Sequence, residues 1–356
     1  MAEVRFAGVT FSYPGFDTPA LRELDLTVVH GEFLSVVGPS GSGKTTLLRL
    51  LSGVSTPTAG DILIGGRVIT RVAPADRGVS TVPARPSLYA HMTVGQNIGF
   101  SMSISGVAAS VVSARVVDIA GTLGLQRLLT RAPQSLSLPE RQAVFLARAL
   151  VRPSAVLVLD EPLAHLDRDD RQQARAQLAR LRSSTDATIL YVTQDFSEAM
   201  TLSDRIAVLD GGRLVELGPP LDVYHRPESL GAARFFGSPP MNTLDAVVTP
   251  DGARVGELLV PVRPGLDLAP GATVVLGIRA EAVHLLPRGA GLTVTGVEIT
   301  GNTALVRGTL IGDPGGQSLV ARCSMRDAPR IGDRITVDVL VDDHVQFFDP
   351  RNGRRL

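Results

Sequence analysis

The sequence predicts an α/β domain built on a strand, a phosphate-binding loop and a helix, followed by a small β-barrel module. Three observations carry this. Gly38-Pro39-Ser40-Gly41-Ser42-Gly43-Lys44-Thr45-Thr46 reads G-x-x-x-x-G-K-T, with an apolar strand over 33–37 before it and a leucine-rich helix over 47–51 after it. A second apolar run over 156–159 ends in the adjacent carboxylates Asp160 and Glu161. From about residue 241 the chain turns to short alternating strands separated by Gly and Pro.

The loop's chemistry follows from its residue types. Gly38, Gly41 and Gly43 let the backbone curl so that several N–H groups converge on phosphate oxygens. A helix starting near Lys44 adds its positive end. Lys44 neutralises the outer phosphates and the Thr45 hydroxyl ligates Mg²⁺. Lys44 is also the only lysine of a chain with 35 Lys and Arg. A compact ammonium thus stands at the one place where a guanidinium fork would not fit.

Composition narrows the class. At 356 residues, about two domains are expected. Basic and acidic residues balance at 35 each, which argues against a nucleic-acid surface built on counterion release. Cys323 is the only cysteine, as expected of a reducing compartment. Glu3 and Arg5 near the N-terminus do not suit a signal peptide, and no uncharged apolar run reaches the ~18 residues of a membrane span.

In chain order, residues 2–13 read as an edge strand leading to Tyr13, whose ring either stacks on a purine base or is an ordinary strand aromatic. Strands follow over 24–29, 60–65 and 79–82. Residues 94–130 read as largely helical, with an apolar face of Val112, Val116, Val117, Ile119, Ala120 and Leu123. Asp160 is placed to hold Mg²⁺ through water and Glu161 to orient or deprotonate the attacking water. The alternative is a surface salt-bridged pair, which the preceding apolar run disfavours. Strands are expected over 187–193, 205–209 and 213–217, then one helix over 221–236. In the C-terminal module, strands over 273–278, 292–299, 304–310, 318–323 and 334–341 suggest an OB-like barrel, with Ile335, Val337, Val339 and Val341 on one face. Phe347 and Phe348 are its only aromatics, too few for a single-strand stacking platform.

Together these residues resemble the ATP-binding subunits of ABC importers, within them the subfamily serving carbohydrate and glycerol-3-phosphate uptake. The resemblance covers the whole chain. Beyond the phosphate loop it rests on the runs at 88–94, 160–163, 222–227, 236–242, 277–281 and 348–350, the later ones being specific to that subfamily. It implies an ATP-binding domain over 1–237 with a helical subdomain at about 90–150, and a TOBE-type domain over 241–356. It further implies ATP and Mg²⁺ as ligands. Tyr13, the phosphate loop, Ser137 and Asp167 would then be at the nucleotide, with Thr45 and Asp160 at the metal and Glu161 and Gln194 in catalysis. The implied setting is the cytoplasmic face of the membrane. The implied partners are transmembrane permease subunits, an extracytoplasmic solute-binding protein and a second ATP-binding subunit, identical or not, paired head to tail.

Four positions depart from the family pattern. Its loop glutamine falls on Ala84. Its Leu-Ser-Gly-Gly-Gln signature falls on Leu136-Ser137-Leu138-Pro139-Glu140. Its switch histidine falls on Gln194, and Ala164 stands where serine is usual. Leu138 adds a Cβ and Pro139 lacks an N–H, while Ser137-x-x-Glu140 reads as a helix capping box. These changes lead to an expectation of hydrolysis at least about 100-fold below a standard importer ATPase, on the loss of one preorganised donor. Three functional readings follow. One is an importer subunit that still turns over, for sugar, polyol or glycerophosphate. The second is a hydrolysis-poor subunit beside a competent paralogue. The third, a DNA- or translation-associated ATPase, is disfavoured by the neutral charge and the tail.

Overall fold

The computed structural model describes residues 2–84, 87–164, 166–263, 265–340 and 344–356, with the backbone alone at Ser184. The chain divides into two compact units, Met1–Pro220 and Leu221–Leu356.

In the first unit, β1 (Val4–Phe11), β2 (Leu21–Val28), β3 (Phe33–Val37), α1 (Lys44–Ser52), β4 (Ala59–Ile64), β5 (Arg67–Val68) and β6 (Val79–Val82) come first. Helices α2 (Val94–Ile104), α3 (Ala109–Leu123) and α4 (Leu138–Leu150) follow. The unit closes with β7 (Val156–Asp160), α5 (Arg168–Ser184), β8 (Thr188–Val192), α6 (Phe196–Leu202), β9 (Arg205–Asp210) and β10 (Arg213–Gly218). One sheet runs β2-β1-β4-β5 and a second β10-β9-β3-β8-β7-β6. Strand β1 is therefore interior, not an edge. Its outer side is taken by β4, a pairing between distant segments that local pattern cannot show.

Alternation along the second sheet divides its two faces. Leu34, Val36, Val156, Val158, Leu190 and Val192 pack with Leu47, Leu50 and Leu51 of α1 and with the first sheet. Phe33, Leu157, Leu159, Ile189 and Tyr191 face the helices α2–α5. The parallel strands β3, β8 and β7 are buried on both sides and so read as unbroken apolar runs. Of the apolar face expected on α3, Val117 is 54% exposed and lies off it; the other residues are buried. The C-terminus of α1 is tied by the buried Arg77, which donates to the carbonyls of Leu50 and Leu51 at 2.8 and 3.2 Å.

The second unit starts with two short helices, α7 (Pro220–His225) and α8 (Leu230–Phe235), where one was expected. Pro227 bars helix at the preceding residue, and Ser229 caps α8 by accepting from the Ala232 N–H. Both helices belong with the C-terminal strands, whereas sequence texture placed the boundary at 237–241. The buried Arg279 guanidinium fastens them, donating to the carbonyls of Tyr224 at 2.7 Å, Ala233 at 3.2 Å and Phe236. Next come β11 (Asn242–Thr249), β12 (Gly252–Val255), β13 (Leu258–Val260), β14 (Thr273–Ile278), β15 (Val283–Thr300), β16 (Thr303–Leu310), β17 (Ser318–Ser324), β18 (Arg334–Val339) and β19 (Val345–Phe348). They form antiparallel sheets β13-β12-β11-β14-β19 and β17-β16-β15-β18 around one core that includes Leu244, Leu276, Leu292, Leu310, Val337 and Phe347. Val341, expected at the end of β18, lies outside the described residues. Among the described residues, no helix is long and apolar enough to cross a membrane.

Candidate nucleotide site

The phosphate loop joins β3 to α1. Its glycines hold conformations closed to other residues: Gly38 has φ +146°, Gly41 +81° and Gly43 +104°. A Cβ at Gly38 would fall 2.0 Å from the Leu209 carbonyl, and one at Gly43 would fall 2.6 Å from that of Ala20. Pro39, Ser40, Gly41 and Thr45 line an exposed mouth, while Ser42, Lys44 and Thr46 are buried. Lys44, 6% exposed, donates from Nζ to the carbonyls of Gly38 at 2.9 Å and Pro39 at 2.8 Å. The Ser42 hydroxyl oxygen is buried and, among the described residues, has no hydrogen-bond partner. Helix α1 has no side-chain cap and no acidic residue in its first turn, so its leading N–H groups are left for an external acceptor. An orphan hydroxyl, an uncapped helix end and a cationic side chain suit a polyphosphate. Tyr13 joins the site from β1's end: its hydroxyl pairs with Thr46 Oγ1 at 3.0 Å and its ring packs edge-on against Phe11.

The carboxylates lie within electrostatic reach of the loop. Burial pushes the Lys44 pKa down, with Glu161 and then Asp160 opposing. Burial pushes the Asp160 carboxyl up, the Glu161 charge adds to this, and Lys44 opposes it. Strand β7 is separated from β3 by β8 alone, which places its C-terminal end beside the loop. Glu161 adopts φ +45°, a left-handed conformation that a non-glycine residue holds under strain. Its N–H is fixed by the Val192 carbonyl at 2.9 Å. Its Oε1 accepts from Gln194 Nε2 at 2.6 Å. Sequence reasoning placed both residues at the site and did not foresee this bond.

Two expected nucleotide contacts serve as helix caps here. Asp167 Oδ1 accepts from the Asp170 N–H at 2.9 Å at the start of α5. Ser137 starts α4 in the capping box its spacing suggests: the Ser137 N–H donates to Glu140 Oε2 at 2.7 Å and the Glu140 N–H to Ser137 Oγ at 3.4 Å. Ala84 and Leu138 line one cavity of about 580 Å³, together with Leu88, Phe145, Pro162 and Gln142. Two of the departures thus face a common space, and among the described residues the buried Gln142 amide nitrogen has no hydrogen-bond partner. Arg85 and Pro86, next to Ala84, and His165, next to Ala164, lie outside the described residues.

The ABC transporter family model matches residues 21–164, the MalK OB fold domain model 237–283 and the TOBE domain model 276–347. Relatives named sn-glycerol-3-phosphate import ATP-binding protein UgpC, from Burkholderia thailandensis and Yersinia pseudotuberculosis, are each 39% identical, over 364 and 361 residues. Each comparison covers 100% of this chain and 99% of the relative. The chain belongs to the ABC transporter family. It shares the fold of an ATP-binding cassette solved as a dimer in a post-hydrolysis state bound to ADP and Pi, with TM-score 0.54 and 24% identity, covering 61% of this chain and 98% of that one.

As an ABC importer ATPase subunit the chain binds nucleotide, and its second unit is the OB and TOBE part of that architecture. Sequence reasoning passed over one group beside the site. Asp195, Glu198, Tyr191 and Thr193 on and around β8 and α6 form a hydrogen-bonded cluster with Arg171 and Arg175 of α5. The available signal was Asp195-Phe-Ser-Glu198, a helix-start pattern directly after Gln194.

Proposed function

We propose that this chain powers an importer for sugars or glycerol-3-phosphate-type solutes from the cytoplasmic face of the membrane. It acts with separate transmembrane permease subunits, an extracytoplasmic solute-binding protein and a second ATP-binding subunit. The observation that carries the ATPase chemistry is the electrostatic coupling of Lys44 to Asp160 and Glu161 at a glycine loop that leads into a helix with no side-chain cap. The likeness to UgpC proteins over the whole length supports the solute class.

The residues divide the work as follows. Lys44 exchanges the Gly38 and Pro39 carbonyls for phosphate oxygens of ATP, and the loop N–H groups with the start of α1 cradle the rest. Tyr13 borders the purine end. Thr45 and Asp160 would hold Mg²⁺. When bound, Mg²⁺ neutralises charge on the outer phosphates. Glu161, held by Gln194, orients the attacking water and takes its proton. Gln194 is neutral, so it positions the carboxylate without bringing positive charge to the transition state.

Hydrolysis is weakened, in this reading, at Ala84, Leu138-Pro139-Glu140 and Gln194. The test is Mg·ATP turnover by the full chain with its permease subunits. Glu161→Gln should lower it by at least about 100-fold while leaving nucleotide binding in place; unchanged turnover would remove Glu161 from the chemistry.

The residues at the start of α4 favour a second reading, a hydrolysis-poor subunit that works beside a competent paralogue. The usual Ser-Gly-Gly-Gln could make the same box. What differs is a carboxylate where an anion should bind, a side chain at 138 and no N–H at 139. Co-purification with a second, different ATP-binding subunit whose signature keeps both glycines would select this reading.

A further inference from the structure

We propose that Arg171 is a positioning residue for hydrolysis: its guanidinium joins the loop that follows Glu161 to the switch segment, and so fixes the Glu161–Gln194 pair. This rests on the ATPase reading above and adds a residue that reading does not use.

The geometry is a closed ring. Glu161 is bonded to Gln194 at 2.6 Å. The next residue, Asp195, accepts at Oδ2 from Arg171 Nη1 at 3.2 Å. The other arm of the same guanidinium, Nη2, donates to the Leu166 carbonyl at 3.2 Å. Leu166 ends the loop that starts at Glu161, whose turns are closed by Ala164 N–H to Glu161 and Leu166 N–H to Leu163, each at 3.2 Å. Following chain and hydrogen bonds from Glu161 through Leu166, Arg171, Asp195 and Gln194 returns to Glu161.

The switch side of the ring is rigid. Asp195 Oδ1 caps α6, accepting from Ser197 N–H at 2.8 Å and Glu198 N–H at 3.2 Å. Buried Glu198 accepts at Oε2 from the hydroxyls of Tyr191 at 2.7 Å and Thr193 at 2.6 Å, and its Oε1 lies 3.9 Å from Arg171 Nε. Thr193 in turn donates its N–H to Val36 of β3 at 3.3 Å, one residue short of the strand's end at the phosphate loop.

Strain supplies the need for such a device. Glu161 sits at φ +45°, and its side-chain bond to Gln194 is exposed. A strained conformation persists where the surroundings over-determine it, and an exposed hydrogen bond holds little by itself. Fastening the Leu166 carbonyl and the Asp195 carboxylate to one planar fork restricts the pair instead. Arginine is this chain's default cation, so residue type says nothing here; the two-armed span does. Arg175 is the internal control. It reaches the same Asp195 oxygen at 3.4 Å and, among the described residues, makes no hydrogen bond to the loop.

The test is a mutant cycle in the full chain: R171M, R175M, Q194A and R171M/Q194A, with Mg·ATP. R171M should lower kcat by about tenfold or more, the scale set by small misplacements of a catalytic group, with KM and the nucleotide Kd within about twofold. R175M should leave kcat within about twofold of wild type. The double variant should be no slower than Q194A alone, because both changes release one pair. Backbone hydrogen exchange without nucleotide reads the same link where turnover is too slow to follow. R171M should speed exchange in 161–166 and 193–196 together, and R175M in 193–196 alone. Multiplicative losses in the cycle, a KM shift matching the kcat loss, R175M behaving as R171M, or exchange rising in one segment only would each overturn the proposal. Failure of the wild type to bind Mg·ATP would instead overturn the ATPase reading. R171K, which keeps the charge and cannot span both acceptors, should behave as R171M.

Discussion

Restoring the family signature with Leu138→Gly, Pro139→Gly and Glu140→Gln should make the protein less stable and more active at once. The stability cost can be worked from the start of α4. Leu138 is 52% exposed, so its removal gives up little burial, but glycine in a helical position costs about 1 kcal/mol. Replacing Pro139, which sits in the first turn, frees the unfolded chain by roughly 0.4–1 kcal/mol. The amide introduced by Glu140→Gln can still reach the Ser137 N–H, so the box itself survives. The total is about 1.5–2 kcal/mol, which for a unit of this size is a fall of roughly 3–8 °C in Tm. Against this, the variant regains an N–H at 139 and loses a Cβ and a carboxylate. One recovered preorganised donor is worth on the order of 100-fold in turnover. Phosphate release under saturating Mg·ATP, beside a thermal melt, measures both. A lower Tm with turnover within about twofold of wild type would refute the view that the signature limits hydrolysis.

Three further outcomes are expected. Asp160→Asn should raise the Tm of the nucleotide-free protein at neutral pH. The raised carboxyl pKa means its contribution to stability is present below the ordinary 3.8 and is lost as pH rises through the higher folded value, so the ionised group costs stability at pH 7. The same substitution should abolish the Mg²⁺-dependent part of nucleotide binding, and a Tm that falls would contradict the sign. Leu47→Ala, fully buried between α1 and both sheets, should cost about 2–5 kcal/mol in denaturant unfolding. In the second unit, burial and the bond to Glu281 push the Tyr224 hydroxyl up to about 12 from 10. Its contribution is intact below pH 10 and lost between there and about 12; Tyr224→Phe should remove that alkaline step from a stability–pH profile.

What the sequence disclosed was local. The phosphate loop, the acidic pair after 156–159 and the capping box at Ser137 are each set by spacing within a few residues, and the structure forms all three. What it hid depends on pairing between distant segments. Strand β1 reads as an edge because β4, its second neighbour, comes some fifty residues later. The Glu161–Gln194 bond and the Arg171 fork join residues just past the ends of β7 and β8 and on α5, which only the parallel sheet brings side by side. The common cavity of Ala84 and Leu138 is invisible for the same reason. The split of 221–236 was legible and was overlooked: Pro227 and Ser229 mark a break and a restart. Strands β11–β13 were also within reach, since Leu244, Ala246 and Val248 alternate inward as a half-buried strand requires.

The central claim is that ATP phosphates are held by the glycine loop around Lys44, with Asp160 and Glu161 facing them. Equilibrium titration of the purified full chain with Mg·ATP, wild type against Lys44→Ala, tests it most directly. Saturable binding that is lost or weakened by at least about tenfold in the variant, from removal of the cation at the phosphates, is the predicted result. No binding by the wild type, or equal binding by both, would contradict it.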